Sequence, residues 1–217
     1  MSGGMDGMDW AAIDERAAKL MKTRKAHRER ERGFVYYHGK RVANSALELR
    51  RLILPEDPSG DTALRLAGMF HDVGKGLSPH AQYGAVILPE AVKDLVDDEE
   101  LIRQAAQMIA HHGDRQIGES PYDIWTQLLQ DADLLDHSGS YGVWMNAQFY
   151  SYFDGCMTDG AKFHSETSEQ YYNDNVDLLN FDISKKIFRD KVDAEQAFFM
   201  RAALEAEGLF PGYCALR

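Results

Sequence analysis

The chain has eight histidines. His38, His71, His80, His111 and His112 stand in short words beside apolar residues. His71 and Asp72 follow the apolar run from Leu64 to Phe70. His111 and His112 end a stretch that places Ile102, Ala105, Ile109 and His112 on one face. Asp133 sits between Ala132 and Leu134. A buried Asp or His without a partner is costly, so such groups pair with one another or hold a metal ion. Imidazole and carboxylate without thiolate suit Mn, Fe, Ni, Zn or Mg. Neighbouring helical residues differ by about 100° around the axis. His71 and Asp72 can therefore face one ion only where their helix is ending, and Gly74 supplies that ending. Lys75 adds an ammonium suited to a phosphate oxygen, or to the charge that develops as a P–O bond breaks. A divalent ion would supply the rest, by making water acidic and polarising the phosphoryl group. Taken singly, each residue has a plainer reading. His38 suits a core or surface histidine, Asp133 a solvated helix residue, and Lys75 a lysine meeting the last carbonyls of a helix. Asp72 at a helix C-terminus opposes the dipole, which calls for a nearby cation.

Helical elements are expected to position these groups. Asp9 caps a helix from about Trp10 to Arg32, ended by Gly33. Val42, Ala46, Leu49 and Ile53 fall at helical spacing from Tyr36 to Leu54, which places His38 in the first turn. A short buried helix runs from Ala63 to Asp72, and another from His80 to Leu88, before Pro89. The acidic start Asp97-Asp98-Glu99-Glu100 opens a helix that Gly113 closes. Ser120-Pro121-Tyr122-Asp123 reads as a capping box with proline at the first helical position, and that helix runs to about His137. The aromatic stretch from Gly139 to Gly160 reads as helix and loop over the core. A last long helix runs from about Ser184 to Glu207. No segment alternates with period two, so the fold class is all-α.

Composition narrows the function. The 35 acidic and 24 basic residues leave a net charge of −11. Such a chain is a poor sequence-independent binder of nucleic acid, which needs concentrated positive charge. The basic run from Arg16 to Arg32 reads as a solvated helix face, with a phosphate-attracting rim as the sharper alternative. The two cysteines, Cys156 and Cys214, form no zinc-finger pattern and suggest no disulfide scaffold. The longest stretch without Asp, Glu, Lys or Arg, His137 to Phe153, carries Gly, Ser, Asn and Gln, so no membrane span is expected. No leader pattern is read at Met1, and a cytoplasmic location is the expectation.

The ordered set H…HD…D resembles the HD-domain metal-dependent phosphohydrolase superfamily, in its stand-alone form. Three words carry the resemblance: His38-Gly39-Lys40-Arg41-Val42, His71-Asp72-Val73-Gly74-Lys75, and Asp131-Ala132-Asp133-Leu134-Leu135-Asp136. The resemblance implies an HD-domain helical bundle with a C-terminal helical extension. Residues 1–9 would be a flexible N-terminus and 10–217 a single HD-type hydrolase domain, with its core at about 34–140 and the extension at about 141–217. His38, His71, Asp72 and Asp133 would be the metal ligands. Asp133 is preferred to Asp131 because the family's ligand precedes a short apolar pair. Asp131 and Asp136 would orient ligands or water. Asp72 and Lys75 would be catalytic, with Lys75, Arg41 and Arg115 meeting the substrate phosphate. His80, His111 and His112 resemble the histidines that hold a second ion in two-metal branches, where the HD aspartate bridges. The HD-GYP phosphodiesterases and the symmetrical dinucleoside tetraphosphate hydrolases are such branches. His112 is followed by Gly113-Asp114-Arg115 rather than the GYP word, which argues against cyclic di-GMP as substrate. The implied activity is hydrolysis of a phosphate ester or anhydride, of a soluble nucleotide, with one or two divalent ions (Mn, Fe, Mg, Ni or Zn) per chain. The expected partners are a small phosphate substrate and a second copy in a homodimer, with no stable nucleic-acid binding and no membrane. The alternatives are a di-iron O₂-dependent oxygenase of the same superfamily and a helical module that senses a nucleotide without turnover.

Overall fold

Apolar residues at helical spacing dominate the chain, and the structure obeys that pattern. It is a computed structural model, and it describes residues 7–210 and 212. Cys214 and residues 1–6 of the expected flexible N-terminus lie outside the described residues. Among the described residues there are nine α-helices and no strand. They are α1 (Trp10–Met21), α2 (Phe34–Ile53), α3 (Asp61–Phe70), α4 (His80–Val92), α5 (Glu99–His111), α6 (Ile124–Asp136), α7 (Ser140–Tyr152), α8 (Met157–Val176) and α9 (Asp182–Ala206). The chain divides into two compact units, one up to Asp133 and one from Leu134.

In the first unit α2 packs on α3, α3 on α5, and α5 on α4, with α1 against α2 and α4. The core is formed by Val42, Ala46 and Leu49 of α2, Leu64, Leu66 and Phe70 of α3, and Ala105 and Ile109 of α5. Helices α2 and α3 approach closely because Gly68 faces Ala43: a Cβ on Gly68 would lie 2.6 Å from the Ala43 Cα. Their far ends are tied by Arg50, whose Nε and Nη2 donate to the two carboxylate oxygens of Asp61 at 2.6 and 2.5 Å. Both side chains are buried, and this bidentate geometry fixes the angle between the helices. Asp61 also lies in the first turn of α3, where a carboxylate suits the dipole.

In the second unit α8 packs along α9, and α7 contacts both. Ala161, Phe188, Val192 and Phe199 are buried there. Glu195 is buried too, and it accepts the Gly139 N–H at 3.0 Å.

Several boundaries differ from expectation. Helix α1 stops at Met21 rather than Arg32. Like charges four apart, such as Arg24 with Arg28 and Arg28 with Arg32, disfavour a helix there. Arg24 is instead turned inward, its Nη1 donating to the Val73 carbonyl at 2.7 Å and its Nη2 to that of Lys75. Helix α4 continues through Pro89 to Val92, held by buried Leu88, Ala91 and Val92. Helix α6 begins at Ile124, because the effective cap is Asp123, whose carboxylate accepts the Thr126 N–H at 2.8 Å. Helix α8 was not anticipated, since its composition is mostly polar.

Candidate metal centre

Four imidazoles line up edge to edge in the first unit. The ring centroids of His38 and His71 are 4.9 Å apart, those of His71 and His112 5.0 Å, and those of His112 and His80 5.1 Å. Different elements supply them. His38 comes from the first turns of α2, where its ring stacks on Phe34 at 5.4 Å. His71 caps the C-terminus of α3, His80 opens α4, and His112 caps the end of α5. The chain turns sharply after α3 because Gly74 lies against the start of α4. A Cβ there would run into the His80 carbonyl and lie 2.6 Å from the Gly84 nitrogen. This contact sets His80 beside the His71-Asp72 turn.

Hydrogen bonds settle the ring tautomers. His71 Nδ1 lies 2.8 Å from the Gly68 carbonyl, and His112 Nδ1 lies 2.7 Å from the Ile109 carbonyl. A carbonyl only accepts, so each ring carries a proton on Nδ1 and turns Nε2 inward. His71 Nε2 is 3.1 Å from His38 Nε2, and His112 Nε2 is 3.2 Å from His80 Nε2.

Two carboxylates complete the cluster. Asp133 Oδ1 is 3.0 Å from His38 Nε2 and 3.6 Å from His71 Nε2. Asp72 lies between the imidazoles. Its Oδ2 is 3.9 Å from His71 Nε2, while its Oδ1 is 3.4 Å from His80 Nε2, 3.8 Å from His112 Nε2 and 3.3 Å from Lys75 Nζ. Two donor groups therefore emerge, His38–His71–Asp133 and His71–Asp72–His112, each with its atoms within 4.8 Å of one another. Every member is buried.

The electrostatics keep these groups in ligand form. Burial pushes the Asp72 carboxyl upward, but His71, Lys75 and His38 outweigh it and hold it at about 2. Burial opposes ionisation of Asp133 as well, yet the Arg115 guanidinium with His38 and His71 holds it well below the usual carboxylate range. Burial, reinforced by His71, brings His112 down to about 4, and burial with Lys75 lowers His80. Ionised carboxylates beside neutral imidazoles are what a divalent cation requires. The donor set thus fits such an ion: inward-facing Nε2 atoms and anionic oxygens converge on one buried space.

The remaining sequence candidates fall elsewhere. His111 turns away from the cluster. Its Nδ1 is 2.9 Å from Asp114 Oδ2 and its ring stacks on Tyr122 at 4.7 Å. Arg115 Nη2 donates to Asp133 Oδ2 at 2.5 Å, while Nη2 and Nε donate to the Gln130 carbonyl at 3.0 and 3.2 Å, so the carbonyl holds the guanidinium against the carboxylate. Arg41 is half-buried along α2 and engaged there. Asp131 and Asp136 are buried and engaged on α6, and neither belongs to a donor group. Two residues with no motif of their own also matter here. Arg24 clasps the Val73–Lys75 turn, and Gln130 Nε2 donates to the His111 carbonyl at 2.9 Å. Only the density of cations around Arg24 hinted at the first.

Residues 35–138 match the HD domain family. Two solved structures share the fold. One is a "predicted HD superfamily hydrolase" from an uncultured Thermotogales bacterium, with 19% identity and a TM-score of 0.60, over 91% of this chain and 92% of that one. The other is Bacillus subtilis YpgQ in complex with ADP, with 15% identity and a TM-score of 0.59, over 92% and 98%. No curated protein matches the chain. Among the described residues no helix is long and apolar enough to cross a membrane. The H…HD…D residues lie inside the matched segment and converge in space, so the chain carries an HD domain at residues 35–138.

Proposed function

We propose that the protein is a metal-dependent phosphohydrolase that cleaves a phosphate ester or anhydride of a soluble nucleotide. The observation that carries the reading is Asp72: its Oδ2 lies toward His71 and its Oδ1 toward His80 and His112, with the Lys75 ammonium 3.3 Å from Oδ1. His38, His71, Asp72 and Asp133 would hold one divalent ion. His80 and His112 would hold a second, with Asp72 shared. When bound, such an ion supplies Lewis acidity, making water acidic enough to attack near neutral pH and drawing charge from a phosphoryl oxygen. Lys75 binds a non-bridging phosphoryl oxygen and offsets the charge that grows there. Arg115 orients Asp133 and leaves Nη1 for a second phosphoryl oxygen. Water adds to phosphorus, the P–O bond to the leaving group breaks, and the leaving oxygen gains a proton. The ADP bound to YpgQ supports a nucleotide as the substrate class.

The test is release of phosphate or pyrophosphate from a panel of nucleoside mono-, di- and triphosphates, with Mn²⁺, Mg²⁺ or Ni²⁺ and with EDTA. Divalent-dependent release is expected, and none across the panel overturns the reading. The pairing of His80 with His112 at 3.2 Å beside Asp72 favours one second reading, a di-iron site for O₂-dependent oxidation. Substrate-dependent O₂ consumption by iron-loaded protein, without phosphate release, would establish that instead.

A further inference from the structure

The stretch from Arg16 in α1 to Arg32 before α2 supplies no donor to the metal centre, yet it is the most basic of an acidic chain. From Arg16 to Arg32 it holds eight of the 24 basic residues, against Glu29 and Glu31. Part of this charge is engaged internally. Arg16 donates to both oxygens of Asp94 at 2.9 and 2.8 Å, Arg24 clasps the Val73–Lys75 turn, and Arg30 lies over the Phe34 ring. Lys19, Lys22 and Arg32 are different. They line one groove of about 620 Å³ together with Thr23, Tyr37 and Glu15. Among the described residues no carboxylate pairs with any of these three cations.

The groove is built rather than accidental. Lys22 and Arg32 are distant in sequence but meet here because the loop between them is pinned. Gly33 donates its N–H to the Arg24 carbonyl at 3.1 Å, and Arg24 is anchored at the catalytic turn. Gly33 has a φ of +84°, and a Cβ there would lie 2.7 Å from the Lys22 carbonyl, so the loop needs glycine. The Lys22 ammonium is held 5.8 and 6.0 Å from the rings of Tyr36 and Tyr37. Three cations around one concavity repel one another until an anion joins them. Arg32 offers the planar fork that matches a phosphate, and Thr23 a hydroxyl donor. The exposed Tyr37 ring gives a flat face beside them. A groove of this size takes a nucleotide-sized molecule.

We infer that this groove binds a multiply charged phosphate group of a small molecule, at a site separate from the metal centre. It uses none of the residues that would hold the metal or the scissile phosphate, so it stands or falls independently of turnover. A small molecule is favoured over nucleic acid because the cations are local, while the chain as a whole carries −11.

Inorganic tripolyphosphate titrated into the full chain by calorimetry, in EDTA, tests the site. Binding that weakens with added salt is expected. The exposed pair Lys22→Glu/Arg32→Glu should weaken it at least tenfold, and Lys22→Ala alone severalfold. Lys75→Ala should leave it unchanged. So should Lys162→Glu, an exposed charge reversal in the second unit. Affinity that survives the groove variants, or that falls equally in Lys75→Ala or Lys162→Glu, overturns the inference. Tighter groove-dependent binding of a single-stranded oligonucleotide or of phosphatidylserine vesicles also overturns it, in favour of a polymer or a membrane surface.

Discussion

Asp72→Asn is the sharpest perturbation of the proposed centre. The substitution keeps the shape of the side chain and removes one negative charge between the two donor groups. Both groups should suffer, because Oδ2 faces His71 while Oδ1 faces His80 and His112. An ion present at 100 times its dissociation constant stabilises the folded chain by about 2.7 kcal/mol. In a chain of this length each kcal/mol moves Tm by roughly 2–4 °C. Mn²⁺ should therefore raise the wild-type Tm by about 5–11 °C, and the shift should fall below about 1 °C in Asp72→Asn. The metal-free fold should persist, because the side chain keeps its shape and the burial cost of its charge falls away together with its attraction to His71, Lys75 and His38. Loss of one electrostatic contact made in the transition state costs about 10²–10³ in rate. Divalent-dependent phosphate release should drop by at least that much, since the ions leave with the carboxylate. The assay pairs differential scanning fluorimetry across a Mn²⁺ titration with product release at saturating substrate. A variant that keeps both the metal-induced shift and the turnover refutes the reasoning.

Metal content by mass spectrometry should fall from two ions per chain to one in His112→Ala and in His38→Ala alike, and to none in the double variant; loss of all metal in either single variant would speak against two positions. Gly74→Ala should abolish turnover and lower Tm by several degrees, because the new methyl meets the His80 carbonyl and Gly84 backbone rather than a movable side chain; a fully active Gly74→Ala would contradict that contact. In the second unit, burial pushes the Glu195 carboxyl up from 4.5 to about 7, against the Gly139 N–H and Lys191. A raised carboxyl contributes stability that is full below pH 4.5 and lost as pH rises through 7, at most about 3 kcal/mol. Glu195→Gln lacks this loss, so its Tm should gain on the wild type between pH 4.5 and 8; parallel Tm curves would contradict it.

Legibility in the sequence followed the strength of the local signal. The amphipathic runs of α2 and α5 are strongly periodic, and both appear within two residues of their expected ends. Helix α8 is largely polar, so its periodicity was faint. The extent of α1 was misjudged because propensity favours a helix through Arg32, while the carbonyls of Val73 and Lys75 recruit Arg24 from 49 and 51 residues away. Of the basic rim, the sequence showed only its density of charge.

By itself the sequence determined an all-α chain and the few histidines and aspartates able to serve a cation, because helical periodicity and costly burial are local properties of residue type. Tertiary structure alone decided their partners. His111 and His112 are neighbours about 100° apart on a helix end; helical spacing from Ile102, Ala105 and Ile109 puts His112 on the apolar face, but names no partner for either ring. The packing of α3 on α5 turns His112 to the cluster, while Asp114 and Tyr122 keep His111 outside. Arg115 reads equally well as a phosphate ligand or a carboxylate partner until Asp133 stands 2.5 Å away. Direction in space is set by contacts between residues far apart in the chain, and no local pattern encodes them.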